Sequence, residues 1–331
     1  MLEVEDLAVE MFTQDGPVRV VDEVNFTLER GETFGLVGES GSGKTVTSLA
    51  VLGMIGPPTG RVVEGSVRLD GRDLRALSPA ELQQLRGKEI GMIFQEPRRS
   101  LDPAFTVGDQ IAETVRAHLG LSRRDAWRKA VEMLELVGID EPARRAKAYP
   151  HEFSGGMAQR VMLAIAVSCS PKVLIADEPT TALDVTVQAQ VLDLIRELQD
   201  ELGLAVLFIS HDLGVIAEMC DRVAVMYAGQ MVEQAPALEL FLQPRHPYTA
   251  ALLEAIPNAA AGDDRLAAIP GVVPPAHAWP EGCRFHPRCA HATERCGAEA
   301  PALAAAPASN GEGGRTARCL RVAELTLEGV A

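Results

Sequence analysis

Short apolar runs alternate with glycine-punctuated turns over the first hundred residues. Thr33-Phe34-Gly35-Leu36-Val37 lacks a charged face, the pattern of a strand buried on both sides. It runs straight into a glycine-rich loop, and Thr45 to Ile55 then reads as a helix stopped by Gly56-Pro57-Pro58. Gly65 to Gly71 predicts a strand closing in an Asp70-Gly71 hairpin turn. From about 102 to 165 the period is helical, with Ala126, Ala130, Val131, Leu134 and Val137 at helix spacing and Gly138 as the stop. Strand–helix alternation returns over 170–232. Val173-Leu174-Ile175-Ala176 and Ala205-Val206-Leu207-Phe208-Ile209 are continuous apolar runs, and Val187, Val191, Leu194 and Leu198 between them form one helical stripe. The pattern predicts an α/β fold around a parallel sheet. Past residue 236 it breaks down: Pro, Ala and Gly dominate 257–282 and 297–314, which read as linker or irregular surface.

Composition narrows the classes. The chain has 331 residues, 47% of them hydrophobic, enough for a sizeable core. A net charge of -15 and a pI near 5.0 argue against binding nucleic acid or anionic lipid. No run of 18 apolar residues occurs, and the acidic start Met1-Leu2-Glu3-Val4-Glu5-Asp6 has no secretory-signal character, so a cytoplasmic location is expected. Six cysteines in a reducing compartment read as thiols or metal ligands.

Gly38-Glu39-Ser40-Gly41-Ser42-Gly43-Lys44-Thr45 fits G-x-x-x-x-G-K-[ST]. Glycines turn backbone N–H groups inward onto phosphate oxygens. Lys44 brings positive charge to the β- and γ-phosphates, and the Thr45 hydroxyl suits Mg²⁺. The strand 173–176 ends in Asp177 and Glu178, one carboxylate suited to a metal's water shell and one to polarising an attacking water. Ser154-Gly155-Gly156-Met157 precedes an apolar helix. Ser154 is a cap and the glycines expose helix N-terminal amides, a second anion site. One chain has no evident need of two such helix ends, whereas two chains facing each other do.

Four of the cysteines, Cys283, Cys289, Cys296 and Cys319, cluster in the poorly apolar tail with spacing C-x5-C-x6-C-x22-C. Thiolates there suit zinc or an iron–sulfur cluster, and free thiols are the third reading. Cys169 and Cys220 lie in apolar surroundings and read as packing thiols.

The ordered set of motifs resembles the nucleotide-binding subunit of ABC transporters. It comprises the phosphate loop at 38–45, a Q-loop glutamine at Gln95, the signature at 154–157, and the acidic strand at 173–178. The Ala182-Leu183-Asp184 D-loop and a switch histidine at His211 complete it. The resemblance covers about 1–235. It implies an ABC-type P-loop ATPase: a RecA-like core with an antiparallel β subdomain and a helical subdomain at about 102–165. It also implies a head-to-tail pair of subunits, with ATP between one phosphate loop and the other's signature. Carried over by position, Gly38, Ser40, Gly41, Ser42, Gly43, Lys44, Thr45 and Val46 would bind ATP, and Phe12 would stack on adenine with Val20 nearby. Thr45, Gln95 and Asp177 would hold Mg²⁺. Glu178 would be the general base, with Gln95 and His211 as further catalytic residues. Ser154, Gly155, Gly156 and Met157 would face the partner's ATP, and Asp184 would sit at the subunit interface. Met157 stands where the family usually has Gln. A thioether donates no hydrogen bond, so Ser154 and the backbone amides would serve instead.

The tail segments His246-Pro247-Tyr248-Thr249, Pro280-Glu281-Gly282-Cys283-Arg284-Phe285 and Pro287-Arg288-Cys289 resemble the C-terminal extension of oligopeptide/dipeptide importers, here 236–331. Met157 is similar to the D-type of its two ATP-binding subunits. The resemblance implies that the four tail cysteines hold a [4Fe-4S] cluster of structural role, with Zn²⁺ as the alternative. It further implies two membrane permeases, a second and different ABC ATPase, and an extracytoplasmic solute-binding protein reached through the permeases. The chain would lie peripherally on the cytoplasmic face of the membrane, coupled to the permeases through a groove near Gln95–Asp102. The same machine importing nickel, opines or another small solute is the alternative reading, and a soluble ABC ATPase acting on ribosomes or DNA is a remote one.

Overall fold

The computed structural model describes residues 1–181, 183–255, 269–307 and 314–330. These divide into two compact units, one of residues 1–27, 33–75 and 210–331, the other of 28–32 and 76–209. The first unit opens with strands β1 (Leu2–Thr13) and β2 (Gly16–Leu28), followed by β3 (Thr33–Val37) and helix α1 (Lys44–Val51). Strands β4 (Gly60–Leu69) and β5 (Arg72–Asp73) complete a four-stranded sheet in the order β2-β1-β4-β5. The predicted hairpin is present: Leu69 pairs with Arg72 across Asp70 and Gly71. Both turn residues have positive φ, 50° and 78°, as a two-residue hairpin loop of matching twist requires.

The helix predicted over 45–55 is shorter. It ends at Val51, capped by Leu52, because Gly53 turns left-handed and closes the end: Gly53 N–H bonds to Ala50 O and Met54 N–H to Leu49 O. That pattern satisfies the last carbonyls and stops a helix by itself, upstream of the prolines.

The second unit holds helix α2 (Pro79–Leu85), strand β6 (Ile90–Ile93) and helices α3 (Pro97–Ser100), α4 (Val107–Leu119), α5 (Arg123–Leu136) and α6 (Pro142–Arg145). Helix α7 (Gly155–Val167), strand β7 (Val173–Asp177), helix α8 (Val185–Leu202) and strand β8 (Ala205–Ile209) follow. Thr106 and Ser122 cap α4 and α5, and Gly138 takes the left-handed turn after α5 where the sequence predicts the stop. Strands β6, β7 and β8 pair in parallel, and every residue of β7 and β8 is buried. Helix α7, apolar on most faces, lies so close to β6 that a Cβ on Gly91 would stand 2.3 Å from Ala166 O.

The chain returns to the first unit with helix α9 (Leu213–Met219) and strands β9 (Arg222–Tyr227) and β10 (Gln230–Pro236), β9 running parallel to β3. Helices α10 (Ala237–Leu242), α11 (Pro247–Glu254) and α12 (Glu294–Ala298) belong to the tail. So do two short strands, β11 (Ala304–Ala305) and β12 (Thr316–Ala317). Strand β11 corrects the reading of 297–314 as irregular. Thr316 and Ala317 pair with Gln234 and Glu233, so the tail extends the sheet beyond β10. A two-residue strand has no periodicity to read. Residues 257–268 and 308–313 of the predicted linkers lie outside the described residues, as do Ile256 and Ala182.

Candidate functional site

The phosphate loop joins β3 to α1 in the first unit. Gly38, Gly41 and Gly43 have φ of 149°, 79° and 104°, values that bar side chains, and a Cβ on Gly38 would meet Met226 O at 2.1 Å. Inside the loop the Lys44 ammonium is buried and donates to the carbonyls of Gly38 (2.8 Å) and Glu39 (3.1 Å). Ser40, Gly41 and Thr45 line the exposed mouth, Val46 is half-buried behind them, and the Ser42 hydroxyl is buried with no hydrogen-bond partner among the described residues. A ring of N–H groups, an ammonium and a spare hydroxyl at a helix N-terminus is a receptor for a polyanion. Phe12, near the end of β1 in the same unit, is 41% exposed, so it is free of the core role that an aromatic in a strand usually has. Val20 is half-buried, and its carbonyl lies 3.1 Å from where a Cβ on Gly43 would stand. His211 is exposed at the turn between β8 and α9.

The acidic residues lie in the second unit. Asp177 is buried at the end of β7, and Glu178 follows half-buried with φ 48°, a strained backbone for a non-glycine residue. Its amide is tied to Ile209 O on β8 (2.9 Å). Its carboxylate accepts from Gln95 Nε2 and from Thr181 Oγ1, each at 2.8 Å. The structure thus joins Gln95 to Glu178 and adds Thr181, a residue outside the sequence-predicted site.

Ser154 caps α7, accepting from the Met157 amide at 3.3 Å, and Arg98 of α3 holds the preceding turn by donating to Phe153 O at 3.3 Å. Gly155 and Gly156 leave the first turn bare of side chains. At Gly156 the space is already taken: a Cβ would stand 2.4 Å from Val187 Cγ1. Asp184 caps α8, accepting from Val187 N at 3.0 Å. An open groove of about 1350 Å³ in this unit is lined by Ser100, Asp102, Phe105, Arg116, Arg123 and Trp127 among others.

Cys169 and Cys220 are buried. Cys283, Cys289, Cys296 and Cys319 are half-buried and line a single small cavity, with His286 and His291 at its wall. Burial pushes the Cys283, Cys289 and Cys319 thiols up, and neighbouring thiols push the same way. Among the described residues no three His, Cys, Asp or Glu groups converge to hold a single metal ion. Nor, among them, is any helix long and apolar enough to cross a membrane.

The family model described as "ABC transporter" matches residues 21–181, and "Oligopeptide/dipeptide transporter, C-terminal region" matches 232–296. The dipeptide transport ATP-binding protein DppD of Escherichia coli (strain K12) is 49% identical over 303 residues, covering 92% of each chain. The oligopeptide transport ATP-binding protein AppD of Bacillus subtilis (strain 168) is 47% identical over 328 residues, covering 99% of this chain and 98% of the relative. Among solved structures, the dimeric post-hydrolysis state of the ATP-binding cassette MJ0796 bound to ADP and Pi superposes with a TM-score of 0.64. It is 26% identical and covers 72% of this chain and 99% of that one. The phosphate loop, the acidic strand end and these likenesses together assign the chain to the ABC transporter family of ATP-hydrolysing cassettes, in the branch that carries the oligopeptide/dipeptide transporter C-terminal region.

Proposed function

We propose that this chain is the ATP-hydrolysing subunit of a bacterial importer of dipeptides or oligopeptides, peripheral on the cytoplasmic face of the membrane. Lys44 and the amides of the loop Gly38–Thr45 bind the phosphates, and Phe12 stacks on adenine. Thr45, Gln95 and Asp177 supply the oxygen donors that Mg²⁺ prefers. Glu178 takes the proton of the attacking water, and His211 contacts the γ-phosphate. The observation that carries this reading is the second bare helix end at Ser154 on a chain that already has a phosphate loop. It suits a head-to-tail pair in which each signature closes the other's ATP, with Asp184 at the interface. A different ATPase subunit is the expected partner. The groove with Phe105 and Trp127 on its wall would receive a segment of a permease, which passes closure to the membrane and, through it, to an extracytoplasmic solute-binding protein. Tagged chain drawn from detergent-solubilised membranes should bring down two permeases and a second ATPase. Recovery only with ribosomal or DNA-associated partners would overturn the transport reading.

The domain reading that goes with this function is a nucleotide-binding domain at 1–235 and an extension at 236–331. For the extension we infer that Cys283, Cys289, Cys296 and Cys319 hold a [4Fe-4S] cluster. Four thiols round one cavity are the ligand set that an iron–sulfur cluster takes. A bound cation would also relieve the penalty on ionising crowded, buried thiols. Such a group would staple a segment too poor in apolar residues to order itself. Anaerobically isolated protein should contain iron and acid-labile sulfide; zinc without sulfide would overturn the assignment.

A further inference from the structure

The turn 284–288 has a cavity cysteine at each end, and three of its residues, Arg284, Phe285 and Arg288, grip elements around the phosphate loop in the same unit. Arg284 lies 3.6 Å over the ring of Trp279 and donates to Ala228 O (2.6 Å) and to Asp22 of β2. Phe285 is buried against Tyr227 of β9 and Tyr248 of α11, with ring centroids 5.2 Å away in both cases. Arg288 reaches the phosphate loop itself. Its two terminal nitrogens donate to the two carboxylate oxygens of Glu39, at 2.7 and 3.1 Å, the paired geometry that makes such contacts strong and directional. The Tyr248 hydroxyl accepts from the Glu39 amide at 3.0 Å. Glu39 is therefore held at side chain and backbone at once. Its carbonyl in turn accepts from Lys44 Nζ (3.1 Å) and from Ser42 N (3.2 Å), so a displaced Glu39 displaces the ammonium meant for phosphate.

We propose that Arg288 and Tyr248 are positioning residues of the phosphate loop, and that a group bound by the four thiols, by pinning both ends of the turn 284–288, sets how firmly that loop is held for nucleotide. The second half rests on the cluster reading above; the first does not. Coupling of this kind is reciprocal, so bound nucleotide should also raise the affinity for the group by the same factor.

The test is the affinity of the anaerobically isolated full-length chain for a fluorescent Mg·ATP analogue, with iron and sulfide counted in every sample. Wild type is compared before and after removal of the group by oxidation and chelation, alongside Arg288→Ala, Arg288→Lys and Glu39→Gln. Removal should weaken wild-type binding roughly fivefold, the lower end of ordinary coupling. Arg288→Ala should weaken it to a similar degree and be insensitive to removal, and Arg288→Lys should regain part. Glu39→Gln lies outside the thiol segment, so it should weaken binding with its iron intact, separating the clamp from a misfolded tail. Unchanged affinity in both Arg288→Ala and Glu39→Gln, with iron present, would overturn the clamp and leave the cluster reading standing. Absence of iron and sulfide from wild type, with Arg288→Ala still weak, would sustain the positioning role and overturn the cluster reading together with the thiol half of this proposal.

Discussion

Glu178 sits in a left-handed backbone conformation that only its surroundings can sustain: its amide is held by β8 and its carboxylate by Gln95 and Thr181. Glu178→Gln keeps the size and the polar contacts and removes the proposed proton acceptor. It should bind ATP at near wild-type affinity and lose turnover by at least about a hundredfold, the lower range for a general base. Nucleotide binding and steady-state phosphate release, measured on the same preparation, check this; wild-type turnover would refute the role. Single residues of this kind were legible because loop glycines, Lys44 and the carboxylates at a strand end each carry their chemistry with them. Thr181 was not, since its hydroxyl reaches Glu178 only once the backbone has turned at φ 48°. Met157 illustrates the reverse. It contributes its backbone amide to Ser154, an interaction any residue other than proline makes, so its departure from the family pattern leaves the cap intact.

Among elements, α7 shows how neighbours decide what a helix end tolerates. Alanine favours helices over glycine by roughly 1 kcal/mol, so propensity alone would welcome it at either signature glycine. At Gly155 a Cβ would meet Leu183 Cδ2 at an ordinary 3.8 Å, whereas at Gly156 it would stand 2.4 Å from a branched Val187. Gly156→Ala should therefore cost about 1–3 kcal/mol from overpacking, with Gly155→Ala near neutral or stabilising. Thermal unfolding of the two variants tests it, and equal melting temperatures would contradict the packing argument. Strand runs, the Asp70-Gly71 hairpin and the Ser154 cap were readable because each is set by adjacent residues. The end of α1 fell at Val51, just before Gly53, because two backbone hydrogen bonds closed it before the proline pair was reached.

At the scale of the whole molecule, the tail is bound to its unit by buried charge. Glu233 of β10 is fully buried and accepts from the amides of Arg245 and His246 and from Arg315, itself 3% exposed. Burial drives the Glu233 carboxyl up, and the Arg315 charge opposes that rise. Arg315→Ala would leave an uncompensated buried carboxylate and should destabilise by about 3–5 kcal/mol. Adding Glu233→Gln should recover part of the loss, because an amide oxygen still accepts from a backbone N–H and carries no charge. Denaturant unfolding of the single and double variants measures this, and a neutral Arg315→Ala would show the pair to be incidental.

By itself the sequence determined the α/β class, the phosphate loop, the Ser154-capped glycine start of α7 and the acidic strand end. These depend on backbone preferences and side-chain chemistry within a few consecutive residues, which no distant contact need supply. Only the tertiary structure decided that a short strand of a Pro/Ala/Gly-rich tail would extend the sheet, and that Arg288 would meet Glu39 across 249 positions and Arg315 would meet Glu233 across 82. Arginine and glutamate are common and pair in many ways. Which of them meet is settled when the chain closes long loops and buries both partners, and neither residue type carries that choice in its own neighbourhood.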